Sequence, residues 1–488
     1  MLTSSLQAAH MQRPRQNAST MTADGLSFAE QKMRADGQPE GAIRSFRSAY
    51  ERLVGGESAV LPSAELEPAA DVPGLAELPD AEAATALEHV VSVKLNGGLA
   101  TSMGLRSPKS LLEAREGKSF LDIIIGQTLA LRRHYGVRLP LVLMDSEATQ
   151  TETLAALARH PELSGDLPPD FLQSMIPKLD AATLAPVGWP HEPALEWCPP
   201  GHGDVYGALE RSGMLATLLA EGFRYAMISN ADNLGATLDP RIASHLAARR
   251  IPFLMEVVEG TEADRKGGHI ARRRADGQLV LRETAQTPPE DLDSFRDFGR
   301  WRYYNTNNLW IDLRVLADAM QQGDGVLELP LIINRKTVDP RDSASPAVLQ
   351  LESAMGAAIG SFPGSRLLCV PRTRFVPVKT TDDLLVLRSD TYTLSDEFLV
   401  EAVLERRERL PFVELDTRFY KLLDDFEARF PDGPPSLREA DRLVVHGDVT
   451  FGPDVIVRGA VEVDAGDGER RRIERTVLAG GTGPEAGG

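Results

Sequence analysis

Cysteine is nearly absent from this sequence. Only Cys198 and Cys369 occur in 488 positions, so a single chain can build neither a disulfide framework nor a four-thiolate zinc site, and a reducing cytoplasm is the expected compartment. Long apolar runs are lacking too. No stretch approaches the ~20 consecutive apolar residues of a membrane span, and the N-terminus has no uninterrupted apolar segment of the signal-peptide kind. Positive charge is in deficit: 53 Lys and Arg face 71 Asp and Glu, for a formal net charge of -18. That balance excludes a protein that grips nucleic acid through a broad basic surface. It does not exclude a small anionic ligand, because a few local cations and backbone N–H groups outweigh a repulsive global field at contact distance.

What is present is the composition of a globular protein, with 42% hydrophobic and 25% charged residues. The length predicts two or three units, or one large domain with appendages. Residues 1–26 are polar and without apolar period, which predicts a disordered tail. From Ser27 to Leu53 the residues Phe28, Met33, Ile43, Phe46 and Tyr50 recur at helical intervals. An acidic, Pro- and Ala-rich stretch then reads as a linker, which makes 27–84 a helical segment with its connection.

The run His89 to Leu95 is β-branched and ends in Asn96-Gly97-Gly98, the pattern of a buried strand entering a tight loop. Further strands are predicted at Leu139 to Met144, Tyr225 to Ser229, Ile251 to Val258 and Leu367 to Val370, with helices at Phe120 to Tyr135 and Pro240 to Ala248. Such alternation predicts an α/β domain over 85–395, its sheet largely parallel with helices on both faces. A helical connection is expected over 396–434. From 435 to 475 short alternating apolar runs are punctuated by Gly and Pro, as in a short-turn β-solenoid or an ordinary β-meander. Residues 476–488 read as a flexible tail.

Two glycines without side chains at 97 and 98 let the backbone approach a base or phosphate, and Lys109 follows with a full positive charge. The spacing is neither a P-loop nor a dinucleotide fingerprint. Read alone, the Gly pair is more often a tight turn, and Asp232 more often a helix cap than a metal ligand. The segment LNGGLATSMGLRSPKS, Leu95 to Ser110, resembles the nucleotide-binding loop of UDP-glucose pyrophosphorylases of the eukaryotic type, with Ala100 and Ser107 where that family commonly has glycine. Further matches follow in order: FLQSMIP from Phe171, WCPPGHGDVY from Trp197, NADNLGATLD from Asn230, Lys266-Gly267-Gly268, NTNNLW from Asn305, QLESAMGAAI from Gln350, VPRTRFVPVKTTDDLL from Val370, and GDVTFG from Gly447.

The resemblance implies a Rossmann-like nucleotide-sugar transferase core with a mixed, mainly parallel sheet and a short C-terminal β-helix. It implies transfer of uridylate from UTP to glucose 1-phosphate with Mg2+, by in-line attack of the sugar phosphate on the α-phosphorus. Lys109, Lys379 and Asp232 are the expected catalytic residues, Asp232 being the expected metal ligand. Leu95, Asn96, Gly97, Gly98, Gln173 and Gly201 join them around the nucleotide, while Gly98, His202, Asn230, Asn305 and Asn307 are expected at the sugar phosphate. A covalent nucleophile is unnecessary, because joining two polyanions needs positioning and charge neutralisation. His202 is read as a binding residue, since the attacking phosphate is already ionised. An Asn-rich turn is the alternative at 305–308, and no catalytic role is expected of Cys198. A monomer or small homo-oligomer is expected. The rival readings are a uridylyltransferase for another sugar and a nucleotide-sugar sensor without turnover.

Overall fold

The computed structural model describes residues 14–57, 60–163, 165, 167–261, 264, 267–403, 406, 409–466 and 468–480. Its centre is a ten-stranded mixed sheet. Four strands run parallel on the side that carries the glycine-rich loop, in the spatial order Asp170–Leu172, Leu141–Asp145, Val90–Leu95, Tyr225–Asn230. Beyond them Tyr303–Asp312 runs antiparallel to Tyr225–Asn230 and pairs antiparallel with Phe253–Glu259, which itself pairs parallel with Arg366–Cys369. The expected mixed α/β architecture is therefore present.

The sequence period explains why both faces of this sheet are covered. Successive strand side chains alternate, so Val91 and Val93 join one buried cluster with Val142, Met144 and Ile228, while Val90 joins another with Met227 and Trp310. Helix Phe120–Tyr135 begins at Ser119, whose hydroxyl accepts from the Asp122 N–H at 3.1 Å while Asp122 accepts from the Ser119 N–H at 2.9 Å. It stops at Gly136 with φ 66°. Helix Pro240–Arg249 starts with proline at its first turn behind the cap Asp239.

Several expectations are corrected. Residues 1–13 lie outside the described residues, but 14–26, expected to be tail, belong to helix Pro14–Ala35, which is anchored further on by buried Ala29 and Met33. The stretch taken for a linker is stitched to the core: Leu66–Pro68 adds an edge strand against His269–Arg273, and the Cys369 N–H donates to the Pro73 carbonyl at 2.8 Å. Leu66, Leu75 and Leu78 supply the burial that holds it there. The connection over 396–434 contains strands Val400–Ala402 and Phe412–Leu415 as well as helices. Thr476–Ala479, expected to be tail, is a strand; 481–488 lie outside the described residues.

In the C-terminal region the strands Phe412–Leu415, Ser436–His446, Val455–Asp464 and Thr476–Ala479 form a four-stranded sheet in which every pair is parallel, beside a parallel pair Asp448–Phe451 and Arg470–Ile473. An antiparallel meander is thereby ruled out for the described strands. Leu443, Val445, Phe451 and Val457 share one apolar cluster with Val378, Leu384 and Met103. The C-terminal sheet is thus packed directly behind the Lys379 segment and the glycine-rich loop. Among the described residues no helix is long and apolar enough to cross a membrane.

Candidate functional site

The parallel strands Val90–Leu95 and Tyr225–Asn230 end side by side, with Leu95 opposite Asn230. Their carboxyl ends are where loops can gather around a ligand in an open α/β sheet. Two of the predicted charges meet there: Lys109 Nζ lies 2.7 Å from Asp232 Oδ2, both side chains about one-fifth exposed. The loop between the Gly pair and Lys109 is closed by the Lys109 N–H on the Gly98 carbonyl at 3.2 Å. Asp232 Oδ1 has no protein partner among the described residues.

Lys379 is brought to the same loop by its backbone. The Val378 N–H donates to the Asp232 carbonyl at 3.1 Å, and the Lys379 N–H donates to Asp383 Oδ2 at 2.7 Å. Its exposed side chain makes no ion pair among the described residues. Its charge is nevertheless felt by His202 and by Glu283.

Glycine-specific contacts shape the walls. A Cβ at Gly97 would come 2.6 Å from Gln173 Oε1, so the bare backbone carries the Gln173 amide, whereas a Cβ at Gly98 would meet open space. Gly201 has φ 80° and ψ 169°, a region almost closed to other residues, and a Cβ there would run into the Ser353 carbonyl oxygen. The Gly203 N–H donates to that same oxygen at 2.9 Å, and the Ser353 N–H donates to Pro200, which docks the PPGHGD loop on Ser353. Gly201→Ala is expected to cost about 1–3 kcal/mol of stability. Chemical denaturation of the variant measures it.

His202 Nδ1 accepts from the Met355 N–H at 3.0 Å, which makes Nε2 the donating nitrogen of the neutral ring. Burial, reinforced by the Lys379 charge, lowers its pKa to about 4. His269, stacked on Trp301, is likewise lowered by burial to about 3. Both folded-state values lie below the unfolded imidazole value near 6.5, so the unfolded chain binds these protons first as acid is added. Stability contributed by the two neutral rings is complete above about pH 6.5 and is lost as pH falls through about 4 for His202 and about 3 for His269. Thermal melting across this interval is expected to show a decline that His202→Gln reduces.

The Asn-rich motif is not a turn. Asn305 to Asn308 lie within strand Tyr303–Asp312, where the register slips against Phe253–Glu259 between Met255 and Val257 and gives Asn307 a φ of 57°. Asn305 Nδ2 donates to Asn307 Oδ1 at 2.7 Å, and the Asn305 N–H donates to the Gly268 carbonyl. A Cβ at Gly356 would stand 2.9 Å from Asn305 Nδ2. The structure therefore brings Gly268, Gly356, Asn305 and Asn307 to one wall; Lys266 lies outside the described residues.

Asn96 is turned away from this cleft. Its amide donates to Asp145 Oδ1 at 2.7 Å and to Thr153 at 2.9 Å, and its N–H donates to Met144. The side chain thereby fastens the root of the glycine loop. Cys198 is buried in a two-residue strand against Ile176–Pro177, and burial pushes its thiol up to about 12, which leaves no reactive thiolate.

Glu283 was not legible as a site residue. It sits where a Cβ at Gly268 would come 2.8 Å from its carboxylate, with its pKa raised by burial against the opposing pull of Lys379. In sequence it is one more acid after a short strand. Ser353 was equally silent, because its backbone rather than its side chain receives the Gly-rich turn.

Among the described residues no group of three or more His, Cys, Asp or Glu side chains converges as a metal cage. Mg2+ does not require one, since it is held by one or two carboxylates together with waters and substrate phosphates. The partnerless Oδ1 of Asp232 fits that pattern.

A mixed α/β sheet whose carboxyl edge carries a glycine-rich loop, a lysine–carboxylate pair and a second lysine belongs to the nucleotidyltransferase class. The family model for UTP–glucose-1-phosphate uridylyltransferase matches residues 43–458. The chain belongs to this family. It is 37% identical to the UTP–glucose-1-phosphate uridylyltransferase of Hordeum vulgare over 458 residues, covering 92% of this chain and 94% of that one. Over 385 residues it is 39% identical to the enzyme of that name from Saccharomyces cerevisiae, covering 79% and 75%. Among solved structures, a UDP-glucose phosphorylase from Trypanosoma brucei matches with TM-score 0.86 and 41% identity, covering 93% of this chain and 99% of that one. A Leishmania major UDP-glucose pyrophosphorylase variant in complex with UDP-glucose has the same TM-score, identity and coverage.

Proposed function

We propose that this protein forms UDP-glucose and pyrophosphate from UTP and glucose 1-phosphate. The observation that carries this reading is the meeting of Lys109, Asp232 and the Lys379 backbone on one loop at the carboxyl ends of the parallel strands. A phosphate oxygen of glucose 1-phosphate forms a new bond to the α-phosphorus of UTP. The bond from that phosphorus to the α,β-bridging oxygen breaks, and pyrophosphate departs with the oxygen and the electron pair.

The protein's part is binding and charge compensation. Leu95, Gly97, Gly98 and Gln173 receive the uracil nucleotide, Gly201 supplies backbone to the nucleotide phosphates, and Lys109 and Lys379 offset phosphate charge. His202 donates from Nε2 to the sugar phosphate, and Asn230, Asn305, Asn307 and Glu283 take the hexose and its phosphate. Asp232 would hold Mg2+ through its partnerless Oδ1, and the ion would supply neutralisation of phosphate charge. The free thiols Cys198 and Cys369 suit a reducing cytoplasm. The stacked parallel C-terminal strands support a short β-helix that braces the Lys379 segment.

Chromatographic identification of the nucleotide sugar made from UTP and a panel of sugar 1-phosphates tests the assignment. UDP-glucose is the expected main product. Preference for another sugar would move the protein to a different uridylyltransferase activity, and binding of UDP-glucose without any product would make it a sensor.

A further inference from the structure

Beneath the cleft lies a buried carboxylate that the proposed reaction does not use. Glu256 is fully buried and stands in strand Phe253–Glu259 at the register slip, opposite the Asn305 to Asn308 bulge. Four side-chain donors converge on its two oxygens. Arg374 donates from Nε at 2.8 Å and Nη2 at 2.7 Å, Trp310 Nε1 at 2.9 Å, and Asn308 Nδ2 at 3.2 Å. The Glu256 carbonyl accepts from Thr306 at 2.7 Å.

Two of these partners, Arg374 and Asn308, reach different parts of the site. Arg374 Nη2 also donates to the Thr237 carbonyl at 2.7 Å, in the loop that carries Asp232. The Arg374 carbonyl accepts from Asn233 Nδ2 at 3.3 Å and from Asn308 Nδ2 at 3.1 Å. Asn233 follows Asp232 directly, and its Oδ1 accepts from the Val376 N–H at 2.8 Å, three residues before Lys379. Asn308 closes the bulge that presents Asn305 and Asn307.

We infer that Glu256 is a positioning residue: through Arg374, Asn308 and Asn233 it fixes the Asp232 loop, the Lys379 segment and the Asn305–Asn307 bulge relative to one another. An ion pair so placed serves geometry rather than net stability, because desolvating both charges offsets most of their attraction. Lys94 extends the same cluster, donating to Ser229 at 2.8 Å and to the Ala236 carbonyl at 2.7 Å. Burial lowers its pKa to about 7, against the pull of Glu256. By contrast, the uracil side is held separately, by Ser146 on the Gly97 carbonyl and by Asn96 on Asp145 and Thr153. The inference rests on the uridylyl-transfer reading, and it predicts which kinetic constant moves.

The test compares the intact parent protein with Glu256→Gln and the milder Asn308→Ser, measuring kcat for UDP-glucose formation, UTP affinity by calorimetry, and melting temperature. Mispositioning of reacting groups predicts that Glu256→Gln lowers kcat about 10²-fold in folded protein, since a displacement of about 1 Å carries that loss. Asn308→Ser should lower it less, and UTP affinity should stay within about threefold in both variants. A purely structural role would shift melting while the folded protein kept the parental kcat, and that result overturns the inference. If Glu256→Gln does not fold, Asn308→Ser decides alone by the same criterion. An active parent with an unaltered Asn308→Ser sinks only the positioning role. An inactive parent sinks the functional reading and this inference with it.

Discussion

Replacing Lys379 with alanine is expected to lower kcat by about 10²–10³, the loss typical of removing one preorganised group that stabilises transition-state charge. The position separates function from folding cleanly. The side chain is exposed and makes no ion pair among the described residues, while the backbone N–H that fixes the segment to Asp383 is retained by alanine. Stability should therefore stay within about 0.5 kcal/mol, as for most surface substitutions. Removing the charge also relieves His202 and takes away the pull on Glu283. Initial rates of pyrophosphate release at saturating substrates, with melting curves on the same samples, give both halves. A folded variant with the parental rate would remove Lys379 from the mechanism.

Asp232→Asn is expected to produce a loss of the same order, about 10²–10³ in kcat, through a different cause. The substitution keeps the shape but removes the charge that pairs with Lys109 and that is proposed to hold Mg2+. The pair with Lys109 is partly exposed, so its removal should cost about 1 kcal/mol or less of stability. Its signature is in the metal dependence. Titration with Mg2+ should show a raised half-saturation concentration in the variant, whereas Lys379→Ala should leave that concentration near the parental one. A parental Mg2+ response in Asp232→Asn would place the metal elsewhere.

The parts of the fold legible in the residues were those whose pattern is contiguous in the chain. A β-branched strand running into Gly97 and Gly98 is a local pattern, and helix Phe120–Tyr135 announces both its ends through Ser119 and Gly136. Strand Tyr303–Asp312 was hidden because Asn305, Asn307 and Asn308 have turn propensity, and what keeps the segment in the sheet is the neighbouring strand some fifty residues away, where Glu256 accepts from Thr306 and Asn308. Leu66–Pro68 sits in a Pro- and Ala-rich stretch whose only distinction is that Leu66 finds a buried slot beside Trp301. Glu283 and Ser353 act through proximity to Gly268 and Gly201, which no spacing along the chain encodes. The orientation of Asn96 was equally invisible. Its neighbours along the chain suggested the cleft, but Asp145 and Thr153, reached only in the folded sheet, claim its amide.

The central claim is that this site transfers uridylate to a sugar phosphate. It is tested most directly by pyrophosphate release from UTP in Mg2+ buffer, with and without glucose 1-phosphate, using the intact chain. The account predicts rapid release that requires both substrates and yields one UDP-glucose for each pyrophosphate. Release from UTP alone, or no release from folded protein that still binds UDP-glucose, would contradict it.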